Sequence, residues 1–128
     1  FYALYNRAQF FQKQGELDKA QSDYASAIGL RPEDASLYIN LAALEIKLFE
    51  NTHKISFLNA AENNLKIAAK LKTESAAFYF NKARLLELKN SRALARSYYE
   101  EAMRRYTIGS LEYKICASQS IRLGKQLE

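Results

Sequence analysis

Small and bulky residues recur along this chain at spacings of four and three. Ala20, Tyr24 and Ala27 form one such triplet, Ala61, Leu65 and Ala68 a second, and Ala95, Tyr99 and Ala102 a third. That spacing puts each triplet on one stripe of a helix. A stripe of two alanines around one large residue lets another helix come close, with the large side chain filling the gap between backbones. One copy cannot bury such a face alone. The pattern therefore predicts stacked copies, a solenoid.

The elements follow from the same pattern and its punctuation. A helix is predicted over 2–14, stopped by Gly15 in a left-handed conformation. The next runs over 17–30 and ends before Pro32, whose ring disfavours helix at the preceding residue. Asp34 caps a helix over 35–49. Asn51 or Thr52 caps one over 53–71, with Leu58 extending its apolar stripe. Thr73 or Ser75 caps a helix over 76–89. Asn90 and Ser91 make the next turn. A helix over 92–106 follows, with Glu100/Arg104 and Glu101/Arg105 as i,i+4 pairs. Gly109-Ser110 opens a last helix over 111–123, and Gly124 closes it. Seven helices in hairpins, with no strand, make the expected fold class all-α.

The period is legible at single positions. Ala8, Ala42, Ala83 and Ala117 are 34, 41 and 34 residues apart, and Leu4, Tyr38, Tyr79 and Tyr113 repeat those intervals. The expected organisation is one domain over 1–128, with repeats at 1–34, 35–75 and 76–109 and a partial, capping repeat at 110–128. The second repeat carries seven extra residues near 49–55. Seven residues are about two helical turns, so each helix of that pair is expected to gain one turn. Phe49, Ile55 and Phe57 would pack in the lengthened tips.

Composition adds bounds. The chain is 48% hydrophobic and 26% charged, with one proline and four glycines, a globular balance with few helix breakers. No apolar run reaches the length of a membrane span. The chain opens with FYALYN, already inside a repeat and without an initiator methionine. It is expected to be a segment of a longer protein whose targeting region lies elsewhere. Cys116 is the only cysteine, so an internal disulfide or a zinc cluster made within the chain is excluded. Its apolar stripe marks it as a core thiol, which slightly favours the cytoplasm over an oxidising compartment. The net charge of +5 is uneven: residues 1–81 balance, whereas 82–128 carry ten basic and five acidic residues. A solvated basic surface and attraction of an acidic partner both fit that asymmetry.

Candidate chemistry is sparse. His53 is the only histidine and lies far in sequence from Cys116, so no nucleophile–base set can be built. No glycine-rich phosphate cradle is present. Glu100 and Glu101 are sequence neighbours that diverge on a helix and suit ion pairs better than an acid/base couple. No enzyme activity and no cofactor are expected. Reading RNA one base per repeat needs basic and polar residues in every repeat, and the neutral first two-thirds of the chain disfavours nucleic acid as a partner.

A 34-residue helix–turn–helix unit with this signature resembles the tetratricopeptide repeat. In the first unit Leu4, Ala8, Phe11, Ala20, Tyr24, Ala27 and Pro32 take the signature places, and Arg7 stands where an apolar residue is usual. In the second, Tyr38, Leu41, Ala42, Ala61, Leu65 and Ala68 match, while Glu45 replaces the aromatic and Thr73 the proline. In the third, Tyr79, Ala83, Leu86, Ala95, Tyr99 and Ala102 match, and Lys82 and Thr107 depart. Tyr113, Cys116 and Ala117 begin a fourth.

The resemblance implies a right-handed array whose first helices line a concave groove holding a peptide or helix of a partner protein. The groove would be lined by Tyr5, Asn6, Gln9 and Lys13, then Ile39, Asn40, Ala43 and Lys47. Phe80, Asn81, Arg84 and Glu87 follow, then Lys114, Ile115, Ser118 and Arg122. Asn6, Asn40 and Asn81 hold one place in three repeats. They are similar to the asparagine ladders of superhelices that grip peptide backbones, although asparagine at this place also serves simply to bond a neighbouring turn. Lys13, Lys47 and Arg84 favour an acidic ligand. The carboxylate clamp of co-chaperone repeats is disfavoured: its places hold Tyr5, Gln9, Asn40, Ala77 and Asn81, and only Asn40 agrees. The expected function is thus a scaffold or adaptor. The alternative is a structural or oligomerisation segment that packs on its own parent chain or dimerises through its terminal helices.

Overall fold

The computed structural model describes residues 1–127. Seven helices follow one another: α1 (Tyr2–Lys13), α2 (Leu17–Leu30), α3 (Ala35–Thr52), α4 (Ile55–Lys70), α5 (Ala76–Leu88), α6 (Arg92–Arg105) and α7 (Leu111–Leu127). No strand occurs among the described residues. The chain forms two compact units, Phe1–Thr73 and Glu74–Glu128. In the first, the hairpins α1–α2 and α3–α4 are joined by packing of α2 on α3; in the second, α6 lies against both α5 and α7.

The alanine-flanked stripes form the cores. Ala20, Tyr24 and Ala27, Ala61, Leu65 and Ala68, and Ala95, Tyr99 and Ala102 are all buried. In the first unit Ala8 packs with Ala20 and Tyr24, and Leu41, Leu44 and Leu48 join them from α3. In the second unit Ala83 meets Ala95, Tyr99 and Ala102, with Cys116 and Leu123 of α7 on the other side. Burial of the Cys116 thiol pushes its pKa up to about 11, so it stays a neutral core group.

The turns follow from local chemistry. Gly15 (φ +79°) and Asn90 (φ +63°) adopt the left-handed conformation that stops α1 and α5. The Asp34 side chain accepts from Ser36 N–H at 3.1 Å, and Ser75 Oγ accepts from Ala77 N–H at 3.2 Å. Ser110 Oγ accepts from Tyr113 N–H at 3.1 Å at the start of α7.

Four details differ from the sequence-based expectations. First, α3 takes most of the insertion and runs through Thr52, ended by His53 at φ 58°. Asn51 and Thr52 therefore belong to its last turn and do not cap α4, whose cap position is Lys54. Thr52 Oγ1 donates to Leu48 O and accepts from Lys54 N–H instead. Second, Phe57 packs on the core, but Ile55, first in α4, is 61% exposed. Third, α7 does not stop at Gly124, because a single glycine costs a helix only about 1 kcal/mol and the helix continues to Leu127. Fourth, the expected Glu101/Arg105 pair forms at 2.7 Å, but Glu100 pairs with Arg96 at 3.3 Å and Arg104 joins Arg105 on Glu101.

Two departures from the repeat signature are compensated locally. Arg7 grips Asp23 with a two-pronged contact, Nε to Oδ2 at 2.7 Å and Nη2 to Oδ1 at 2.8 Å. That hydrogen-bonded pair holds the Asp23 carboxyl below its usual range. Glu45 is buried and accepts from Asn64 Nδ2 at 2.6 Å and from the Gln21 side chain. Burial pushes its pKa up, and the two amides only partly offset that.

Candidate functional site

In the first unit, α1 turns Ala8 toward α2 and leaves Asn6, Gln9 and Lys13 exposed. Tyr5 is half-buried, its ring edge-on to Tyr24 at 6.2 Å. Its hydroxyl accepts from Gln9 Nε2 at 3.1 Å and from Asn40 Nδ2 at 3.3 Å. One phenol oxygen thus ties α1 to α3 at the surface that the two first helices share. One turn further along, Tyr24 donates its hydroxyl to Gln12 Oε1 at 3.0 Å. Burial, helped by neighbouring Tyr5, pushes the Tyr24 pKa up to about 12, which keeps the phenol a donor. Gln9, Gln12 and Lys13 line a cavity of about 330 Å³. From α3, Lys47 is exposed and Ala43 half-buried.

The second unit repeats the buried tyrosine with different chemistry. Phe80 sits edge-on to Tyr99 at 5.8 Å. Tyr99 donates to Glu87 Oε1 at 3.1 Å. Arg122 of α7 reaches the other oxygen, Nη2 to Oε2 at 2.5 Å, and is itself steadied by Gln119 Oε1 at 2.7 Å. Burial raises the Tyr99 pKa, and the negative charge of Glu87 raises it further. Arg84 is half-buried, and Lys114, Ile115 and Ser118 are exposed on α7.

Two of the expected lining residues present no open surface. Ile39 is 3% exposed and Asn81 5%. Ile39 is an apolar side chain taken into the interior. Asn81 turns back along its own helix, Nδ2 donating to Ala77 O at 2.9 Å, and its Oδ1 is buried without a hydrogen-bond partner. The three asparagines of the expected row therefore sit in three environments. Asn6 is exposed, Asn40 is engaged with Tyr5, and Asn81 bonds a neighbouring turn.

The bonds from Tyr24 to α1 and from Tyr99 to α5 are absent from the helical pattern, although a signal for them exists. Gln12 and Glu87 are 75 residues apart, as are Tyr24 and Tyr99, so a polar acceptor recurs opposite each phenol. His53 lies at the α3–α4 tip, edge-on to Phe49 at 6.3 Å. Among the described residues no group of three His, Cys, Asp or Glu side chains is placed to hold a metal ion, and no helix is long and apolar enough to cross a membrane.

Hairpins whose first helix offers an alanine to a small–large–small stripe on the second define a helical-repeat protein. The chain belongs to the tetratricopeptide repeat family, whose model matches residues 1–34 and 76–106. Solved structures of that fold superpose along nearly the whole chain. The first TPR domain of Spaghetti (RPAP3), bound to the HSP90 peptide SRMEEVD, gives a TM-score of 0.80 at 17% identity, over 98% of this chain and 91% of that one. The Yersinia enterocolitica type III secretion chaperone SycD, in complex with a peptide of the translocator YopD, gives 0.76 at 18% identity, over 99% and 94%. TTC0263, a TPR protein of Thermus thermophilus, gives 0.80 at 18% identity, over 98% and 64%. At these identities the likeness is one of fold. No curated protein matches the chain in sequence.

Proposed function

We propose that this chain is a non-enzymatic interaction scaffold that binds an extended, acidic segment of a partner protein along α1 and α3 of its first unit. The observation that carries the reading is the surface of the first unit. Asn6, Gln9, Lys13 and Lys47 are exposed there beside the Tyr5 hydroxyl that joins α1 to α3. Amide and ammonium donors on a rigid floor suit peptide carbonyls and carboxylates. The two relatives solved with peptides, RPAP3 with an HSP90 peptide and SycD with a YopD peptide, support the class of ligand. The carboxylate-clamp places hold Tyr5, Gln9, Asn40, Ala77 and Asn81 here, so the acidic residues would be met along the segment rather than at a terminal carboxylate.

The test is binding of labelled unstructured peptides of acidic, neutral and basic composition, followed across salt. Preference for the acidic set is expected. Lys13→Glu combined with Lys47→Glu should weaken it roughly tenfold, the scale of losing one good contact, with the helical circular dichroism unchanged. Equal binding by the double variant, or a concentration-dependent dimer with no peptide binding, overturns the reading.

A further inference from the structure

The second unit carries a carboxylate where the first carries an amide. Glu87 of α5 accepts from the Tyr99 hydroxyl on Oε1 and from Arg122 of α7 on Oε2. Moved back by 75 positions, Glu87, Tyr99 and Arg122 become Gln12, Tyr24 and Lys47. These three belong to α1, α2 and α3 of one unit. The phenol and the cation are kept, and the acceptor between them is lost.

Tyr24 decides how Gln12 is turned. The phenol is buried, and a buried hydroxyl needs an acceptor. It donates to Gln12 Oε1 at 3.0 Å. That bond fixes the carboxamide with its oxygen on the phenol and leaves the Nε2 hydrogens for another partner. By register, Nε2 takes the place of the Glu87 oxygen that meets Arg122. Where the second unit sets an acceptor against a cation, the first therefore sets a donor against one. Lys13 adds a second cation, lining a cavity of about 330 Å³ with Gln9 and Gln12. Gln9 has spent its own Nε2 on the Tyr5 hydroxyl, which leaves its Oε1 for a main-chain N–H. Lys13 and Lys47 are both exposed.

We propose that a carboxylate of the bound segment, an Asp or Glu side chain, bridges Gln12 Nε2 and the ammonium groups of Lys13 and Lys47. It supplies in trans the acceptor that Glu87 supplies within the second unit. This rests on the scaffold reading above and adds a point of selectivity to it. A carboxylate accepts on both oxygens. An Asn or Gln side chain in its place would turn an NH2 toward donors and leave one of them unanswered. Tyr24 is a positioning residue. It acts by keeping Gln12 from turning its oxygen toward the ligand.

The probes are a labelled Gly-Ser peptide carrying aspartates and a copy with asparagine at the same places, both read by fluorescence anisotropy. The aspartate peptide should bind more tightly. Gln12→Glu gives the first unit an acceptor of its own and should weaken that peptide roughly tenfold. Gln14→Glu makes the same change of charge at an exposed residue just past α1. Screened by solvent, it should weaken binding by less than about twofold. Tyr24→Phe leaves the charge unchanged and frees Gln12 to turn. The asparagine peptide should then gain, and the aspartate-to-asparagine affinity ratio should fall roughly tenfold. Helical circular dichroism should be kept in all three variants. If Tyr24→Phe unfolds the unit, the two glutamate variants decide the question. Absence of any aspartate preference in the unaltered chain overturns this inference and the scaffold reading together. With that preference present, equal losses from Gln12→Glu and Gln14→Glu, or a ratio untouched by Tyr24→Phe in a folded chain, overturn the subsite alone.

Discussion

The two units place a buried tyrosine at the same point of a hairpin and surround it differently. In the first, Tyr24 donates a hydrogen bond to a neutral amide, Gln12. In the second, Tyr99 meets a carboxylate, Glu87, which Arg122 of the following helix also holds. The place of Arg122 in the first unit belongs to Lys47, which is exposed. The second unit thus pairs Glu87 with Arg122 in a clip between α5 and α7, while the first leaves the Lys47 ammonium facing water. One backbone plan therefore yields one surface stiffened by internal ion pairing and one with donors to offer. An amide exchanged for a carboxylate beside the phenol, matched by a lysine exchanged for an arginine, decides which.

The comparison is broken most severely by removing the tyrosines. Tyr24→Ala and Tyr99→Ala should each destabilise their own unit by about 3–5 kcal/mol, read as loss of melting temperature. Removing only the hydroxyls sharpens it. Tyr24→Phe should cost about 1 kcal/mol and Tyr99→Phe nearer about 2 kcal/mol, because hydrogen bonds to charged groups are the stronger ones; denaturant midpoints measure both. Glu87→Gln should bring the titration of Tyr99 down toward that of Tyr24, followed by ultraviolet absorbance, since it removes the charge and leaves burial.

Acid acts more gently, and in opposite senses, on two carboxyls of the first unit. Glu45 has a raised pKa in the folded chain, so between its unfolded and folded values the native state binds more protons. Stability from this group is present at low pH and declines as pH rises through the folded value. Glu45→Gln should flatten that decline above pH about 4 and raise the melting temperature at neutral pH. Asp23 acts in the opposite sense. Its pKa is lowered by Arg7, so its contribution is present above the ordinary carboxylate range and is lost as pH falls through the folded value. Asp23→Asn should remove that acid-side loss, the smallest of these effects because Arg7 is largely exposed.

The repeat spacing makes most of the fold legible. Three stripes and four alanines in phase specify where every helix lies, because alanine at close contacts is a demand of packing that few alternatives meet. The helix ends are harder. Gly124 and the tip around Thr52 read as local punctuation, yet one glycine does not stop a helix that packing sustains, and α3 had length to gain. The candidate site is legible only as a face. Helical spacing shows which residues share a side but not which turn inward, and so Ile39 and Asn81 fall, by pattern alone, on a surface they do not reach. Arg7 and Glu45 are visible as departures. Their partners, Asp23 and Asn64, lie 16 and 19 residues away and carry no mark in a single sequence.

The lone thiol makes the second unit its own clock. Cys116 has no accessible surface, and burial keeps it protonated at neutral pH. A maleimide can reach it only when α7 lifts from α6. When reclosing outruns alkylation, the labelling rate reports the population of that opened form. The unmodified chain therefore carries a chronometer for one of its halves, ready to register any ligand that pins the last helix in place.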